Sequence, residues 1–239
     1  MPDLVASSFA NAALSVRLHA RPERLLWSGH RTLLDLIHWV EQVDEGLEPL
    51  LKPGARIDFF GYSIGAFLVE ILLMGEALGR FQESRAFNFC GGCLLAQSAP
   101  ISREILDSAA GRAIQRLFVE EWDWNKDLRP ALARFLSDDP LGRAFDLMIR
   151  EDRHRPQRVA QLKRIGERIS ALALERDCVI PACAVKQTLA GTGAAFARLD
   201  FPFPYDHARP FPLHAGAGPE VDLAFEVVFS RAVRWLEVP

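Results

Sequence analysis

Residues 57–79 read IDFFGYSIGAFLVEILLMGEALG. The apolar run Ile57 to Tyr62 predicts a short strand, and Ile64 to Leu78 predicts a strongly apolar helix. Between them Gly61-Tyr62-Ser63-Ile64-Gly65 forms a G-x-S-x-G pentapeptide. In a strand–turn–helix setting this spacing puts a serine on a turn too tight for bulky neighbours at the two glycine positions. The Ser63 hydroxyl then stands clear of the sheet, and the Ile64 amide points where an oxyanion would form. Tyr62, beside the serine, is expected at the same oxyanion and substrate site.

Working outward, strands and helices alternate. Leu14 to Leu18 alternates like a strand, with Arg24 to Trp27 extending or following it. Leu33, Leu36, Ile37 and Val40 make a one-faced helical pattern, and Pro53-Gly54 ends that connection. Further strands are expected at 86–95, 170–174 and 194–201, with a closing amphipathic helix from Val221 to Leu236. Residues 102–168 are helical in pattern, cut by Pro130, Pro140 and Pro156. Alternation of this kind predicts an α/β chain with a mostly parallel sheet. The helical stretch at about 100–168 is expected to cap a single domain over 1–239.

In parallel α/β sheets chemistry collects at the carboxyl ends of the strands. Asp177 follows the strand at 170–174, with Glu175 and Asp200 as alternative acids. His207 follows the strand at 194–201, with His214 as its alternative. His19, His30, His38 and His154 read as surface or packing residues, and Asp206 as a turn former. In the order Ser63, Asp177, His207, the imidazole takes the serine proton and the carboxylate orients and stabilises the imidazolium.

On these residues the stretch from about 14 to 236 resembles the α/β-hydrolase superfamily. The phrases FFGYSIGAFL, FCGG and YDHARPFP are similar to a bacterial branch of it whose substrate is unassigned. The resemblance implies an α/β-hydrolase sheet with a helical cap and hydrolysis of an ester or thioester through an acyl-enzyme on Ser63. An acyltransferase with the same triad and an inactive binding or scaffold protein on this fold are the alternatives. It implies a small-molecule acyl substrate and no cofactor. It also implies an N-terminally reduced sheet, because the superfamily places three strands and a helix before the strand read at 14–18. The third of those strands normally flanks the strand that leads into the serine turn, the elbow, and its loop gives a second oxyanion donor. Strand 57–62, apolar enough to be central, is left to pair with 14–18 or to present an open edge that invites a homodimer.

Composition narrows the partners. The apolar fraction is 49%, the charged fraction 25%, and the net charge −3. That balance gives no reason to expect nucleic acid or an anionic membrane. No apolar run reaches a spanning length and no signal peptide is evident, so the expected location is the cytoplasm. Cys90-x-x-Cys93 and Cys178-x4-Cys183 have zinc-like spacing, but their apolar setting favours buried, reduced, metal-free thiols. Trp122 and Trp124 read either as cap surface anchors or as pocket lining, and the charged run 151–168 as a solvated helix face.

Overall fold

The computed structural model describes residues 5–75, 79–213 and 218–237. Four parallel strands, β1 (Phe59–Tyr62), β2 (Ala86–Phe89), β3 (Ile169–Leu174) and β4 (Ala195–Leu199), lie in the order of the chain. The register sets Gly61 beside Asn88, Phe89 beside Leu172 and Leu172 beside Ala197. This is an α/β architecture with a parallel sheet, as the alternation predicts.

Helix α3 (Ile64–Gly75) leaves β1 directly, and its apolar surface is almost wholly buried. The expected continuation to Leu78 lies outside the described residues. Helix α9 (Ala182–Leu189) joins β3 to β4, and α10 (Gly218–Leu236) closes the chain. Because side chains alternate along a strand, β2 divides between two cores. Ala86 packs into the α3 layer, whereas Phe87 and Phe89 pack with Val221, Ala224 and Val228 of α10.

The N-terminal region departs from expectation. Residues 14–18 are not a strand but part of helix α1 (Phe9–Ala20), and Arg24 to Trp27 opens helix α2 (Arg24–Asp44). Ser8 caps α1 by accepting from the Asn11 amide at 3.2 Å, and Leu18 is buried while Val16 is exposed. A period of two therefore fails where a cap and a one-sided helical face succeed. Gly29 sits inside α2, where the helix approaches the Leu68 side chain of α3.

Among the described residues strand β1 is consequently an edge, the open edge expected where 14–18 does not pair with it. The Phe59 and Ser63 amides donate to Arg85 and Phe89 carbonyls, at 2.8 and 3.1 Å. The intervening Phe60 and Tyr62 backbone groups turn to the outer side.

Between β2 and β3 run α4 (Ser108–Ile114), α5 (Trp122–Asn125), α6 (Pro130–Asp138), α7 (Pro140–Leu147) and α8 (Arg155–Ile165). A wide helical turn over Gln115–Glu120 continues α4. Trp122 is buried and Trp124 is 84% exposed. The run 151–168 is not a uniformly solvated face. Arg158 is buried and donates to the carbonyls of Leu147, Arg150, Arg153 and Glu151, which ties the α7–α8 connection together.

Candidate active site

The site is built where β1, β3 and β4 end. At the end of β1 the chain reverses so sharply that Ser63 takes φ 55°, a left-handed conformation that a non-glycine residue adopts under constraint. Close packing supplies that constraint. A Cβ at Gly61 would fall 2.6 Å from Ala66 Cα, and one at Gly91 would fall 2.5 Å from the Ser63 carbonyl oxygen. At Gly65 a Cβ would meet nothing within 4 Å. The pair that enforces the turn is thus Gly61 with Gly91, from the loop after β2, and not the two glycines of the pentapeptide.

Ser63, Asp177 and His207 come together in a chain. Ser63 Oγ lies 2.7 Å from His207 Nε2, and His207 Nδ1 lies 2.7 Å from Asp177 Oδ2. Asp177 Oδ1 accepts from the Val179 and Ile180 amides, each at 2.9 Å. A carboxylate only accepts, so Nδ1 carries the ring proton and Nε2 keeps its lone pair for the serine hydroxyl. Both the His207 and Asp177 side chains are buried, at 5% and 1% exposure. The geometry can deprotonate the hydroxyl and hold the resulting imidazolium against a fixed negative charge.

The alternatives lie elsewhere. Glu175 pairs with Arg198 at 2.6 Å and Asp200 with Arg176 at 2.8 Å, both exposed. His214 lies outside the described residues. Asp206 forms a turn, accepting from the Arg209 amide at 2.8 Å.

Ile64 begins α3, and a first-turn amide has no partner within its helix. The Ser63 amide, by contrast, is committed to Phe89. Tyr62 points differently from the expectation. Its ring stacks on His207 with centroids 5.5 Å apart, and its hydroxyl donates to the His207 carbonyl. Burial, reinforced by the negative side of Asp177, raises the Tyr62 hydroxyl above the usual phenol range, so it remains a donor. Tyr62 thus braces the loop that carries the histidine.

Sequence reasoning missed the pair beneath the elbow. Glu70 of α3 is fully buried, and Asn88 Nδ2 donates to its Oε1 at 2.9 Å. Glu70 Oε2 and Asn88 Oδ1 have no partner among the described residues. Burial pushes the Glu70 carboxyl well above its ordinary value, outweighing the Asn88 hydrogen bond that lowers it. The signal was present as a glutamate amid the apolar face of 64–75.

Ser63 and His207 open onto a cavity of about 960 Å3. Ile105 and Ile114, Phe135, and Leu141 and Phe145 line it from the segment between β2 and β3, and α1 and α2 line another side. Trp27 and His30 of α2 contribute to the wall, which sequence reasoning did not foresee; Trp122 and Trp124 do not.

The thiols divide into two kinds. Cys90 and Cys93 are buried, whereas Cys178 and Cys183 are exposed, contrary to the expectation of an apolar setting for all four. Burial, then the nearby Glu70, pushes Cys93 up to about 12. Among the described residues no group of three His, Cys, Asp or Glu is placed to hold a metal ion. No helix among them is long and apolar enough to cross a membrane.

The model of DUF6051, a family of unknown function, matches residues 1–237. The chain belongs to this family. No curated protein matches the sequence. Solved structures similar to this DUF6051 chain include a carboxylesterase from Lactobacillus plantarum WCFS1, at 13% identity and TM-score 0.48. That likeness covers 86% of this chain and 66% of the other. Carboxyl esterase 2 from the mycorrhizal fungus Tuber melanosporum is 17% identical, with TM-score 0.48, over 83% of this chain and 59% of that one. The chain thus spans somewhat under two thirds of each.

Proposed function

We propose that this DUF6051 member is a serine hydrolase that cleaves a carboxylic ester or thioester through an acyl-enzyme on Ser63. The observation that carries this reading is the continuous hydrogen-bonded chain Ser63–His207–Asp177 opening onto an apolar cavity. Ser63 Oγ attacks the carbonyl carbon while its proton passes to His207 Nε2. The Ile64 amide donates to the oxygen that becomes negative. Collapse of the tetrahedral adduct breaks the bond to the alcohol or thiol, which leaves with the proton from Nε2. Water then enters, loses a proton to Nε2 and attacks the acyl carbon. The acid is released and Ser63 recovers its proton. Asp177 keeps the imidazole in one tautomer throughout. The helices over 100–168 act as the cap of this site, since α4, α6 and α7 supply its wall.

Labelling with a fluorophosphonate tests the reading. Wild type is expected to gain one probe mass on the peptide carrying Ser63, and Ser63→Ala none. Turnover of a short activated ester is expected to fall by roughly 10^4-fold or more in Ser63→Ala. Absence of labelling in folded wild type refutes the proposal.

A further inference from the structure

The cavity is charged on one side of the ledger only. The protein carries 31 acidic against 28 basic residues. Yet the residues lining the cavity among those described include Arg17, Arg24 and Arg31, and no aspartate, glutamate or lysine. Arg31 is shared with Asp35 at 2.8 Å, and no ion pair engages Arg17 or Arg24 among the described residues.

The cavity is also graded. Phe67, Ile71, Ile114, Leu141 and Phe145 line it and are all buried, at 2–6% exposure. They define a closed, apolar end. Arg17 and Arg31 are exposed and Arg24 is half-buried, so the cationic groups stand at the mouth. Ser63 lines the same cavity. At about 960 Å3, it lies near the top of the roughly 300–1,000 Å3 usual for ligand pockets. A short acyl group would leave most of that apolar wall wet or empty, whereas a long chain covers it.

Resting on the proposed serine chemistry, we infer that the substrate is a long-chain acyl ester or thioester whose alcohol or thiol part carries a negative charge. The chain enters the end closed by α3, α4 and α7, and the anionic group, a phosphate or a carboxylate, meets the arginines of α1 and α2. Arginine suits either anion, since its planar fork matches both.

Two measurements test this on the full chain. The first is binding to Ser63→Ala, read through the fluorescence of Trp27 in the cavity wall, with dodecyl phosphate, dodecanoate and dodecanol below their aggregation limits. Either anion is expected to bind about tenfold or more tightly than the alcohol, an advantage that shrinks with salt and in Arg17→Gln/Arg24→Gln. Which anion binds better identifies the group. Equal binding of all three overturns the charge assignment. The second is the chain-length series of 4-nitrophenyl esters with wild type. Its kcat/KM is expected to rise by up to about fourfold per methylene until the cavity fills, and Leu141→Trp is expected to move the optimum to shorter chains. A maximum at acetate overturns the chain-length assignment.

Failure of the serine chemistry is distinguishable. In that case wild type resists fluorophosphonate and hydrolyses no ester, while the dodecyl anions still bind Ser63→Ala.

Discussion

The two faces of the sheet hold the two halves of the site by different physics. On the α3 face the serine turn is fixed by backbone crowding, with Gly61 and Gly91 pressed against Ala66 and Ser63. On the α10 face the histidine loop is fixed by stacked rings. Phe89 lies between Tyr62, at 5.7 Å, and Phe211, at 5.8 Å, while Phe201 packs on Phe203 and Tyr205. Crowding between backbone atoms leaves no room for adjustment, whereas rings tolerate small rotations and share their contact area. Damage to the serine side should therefore be all-or-none, and damage to the histidine side graded.

Gly91→Ala should have the largest effect. Its Cβ would fall 2.4 Å from Ala66 Cβ and 2.5 Å from the Ser63 carbonyl oxygen, so folding or fluorophosphonate labelling is expected to be lost. Gly65→Ala, with open space around it, should fold and gain about 0.5–1 kcal/mol from helix propensity. Labelling and thermal melts of both decide the matter, and equal behaviour would dissolve the contrast between crowded and open glycines.

Next comes Phe89→Ala, which removes a buried ring and is expected to cost about 3–5 kcal/mol in chemical denaturation. The folded fraction should still label, only more slowly. Complete loss of labelling in folded protein would show that the aromatic face is as unforgiving as the other.

Tyr62→Phe keeps the ring and removes one donor, leaving the His207 carbonyl short of a partner. A cost of about 1–3 kcal/mol is expected, seen as a lower kcat with KM little changed. A KM effect alone would mean that Tyr62 touches substrate and does not brace the histidine loop.

The smallest effect, and the only pH-dependent one, belongs to Glu70→Gln. The unfolded chain ionises near the ordinary value of 4.5, and the folded chain well above it. Between those values the folded state binds more protons, so wild-type stability falls as pH rises. The substitution has no proton to lose. Its stability relative to wild type should be flat well below pH 4.5 and should climb as the pH rises above it. Parallel melting curves across that range would contradict a neutral Glu70 beneath the elbow.

The strand–turn–helix at 57–75 and the meeting of Ser63, Asp177 and His207 were legible because each rests on local text. Strand, turn and helix at 57–75 are contiguous, and Asp177 and His207 lie on the loops that follow β3 and β4. The helices at 9–44 were not. Leu14 to Leu18 matches a period of two over five residues, too short to outvote the Ser8 cap. Gly29, inside α2, is required by the approach of Leu68 from α3, a contact that no local pattern shows. Strand β1 looked central because it is apolar, but that apolarity serves Phe59 in the core and Phe60 against Phe229, not a second neighbouring strand. The arginine mouth and the true partner of Gly61 are tertiary facts with no sequence period.

Ser63 and His207 stand 144 positions apart, and Asp177 sits 30 positions before His207. Each closes a different strand of one ladder, so no contiguous fragment shorter than 63–207 contains all three. Contacts this distant in sequence are slow to form, because the chain loses entropy before they repay it. If Ser63 labels as proposed, its reactivity toward a serine probe is a clock for the last stage of refolding. Far-ultraviolet ellipticity, which needs only helices, should recover before it.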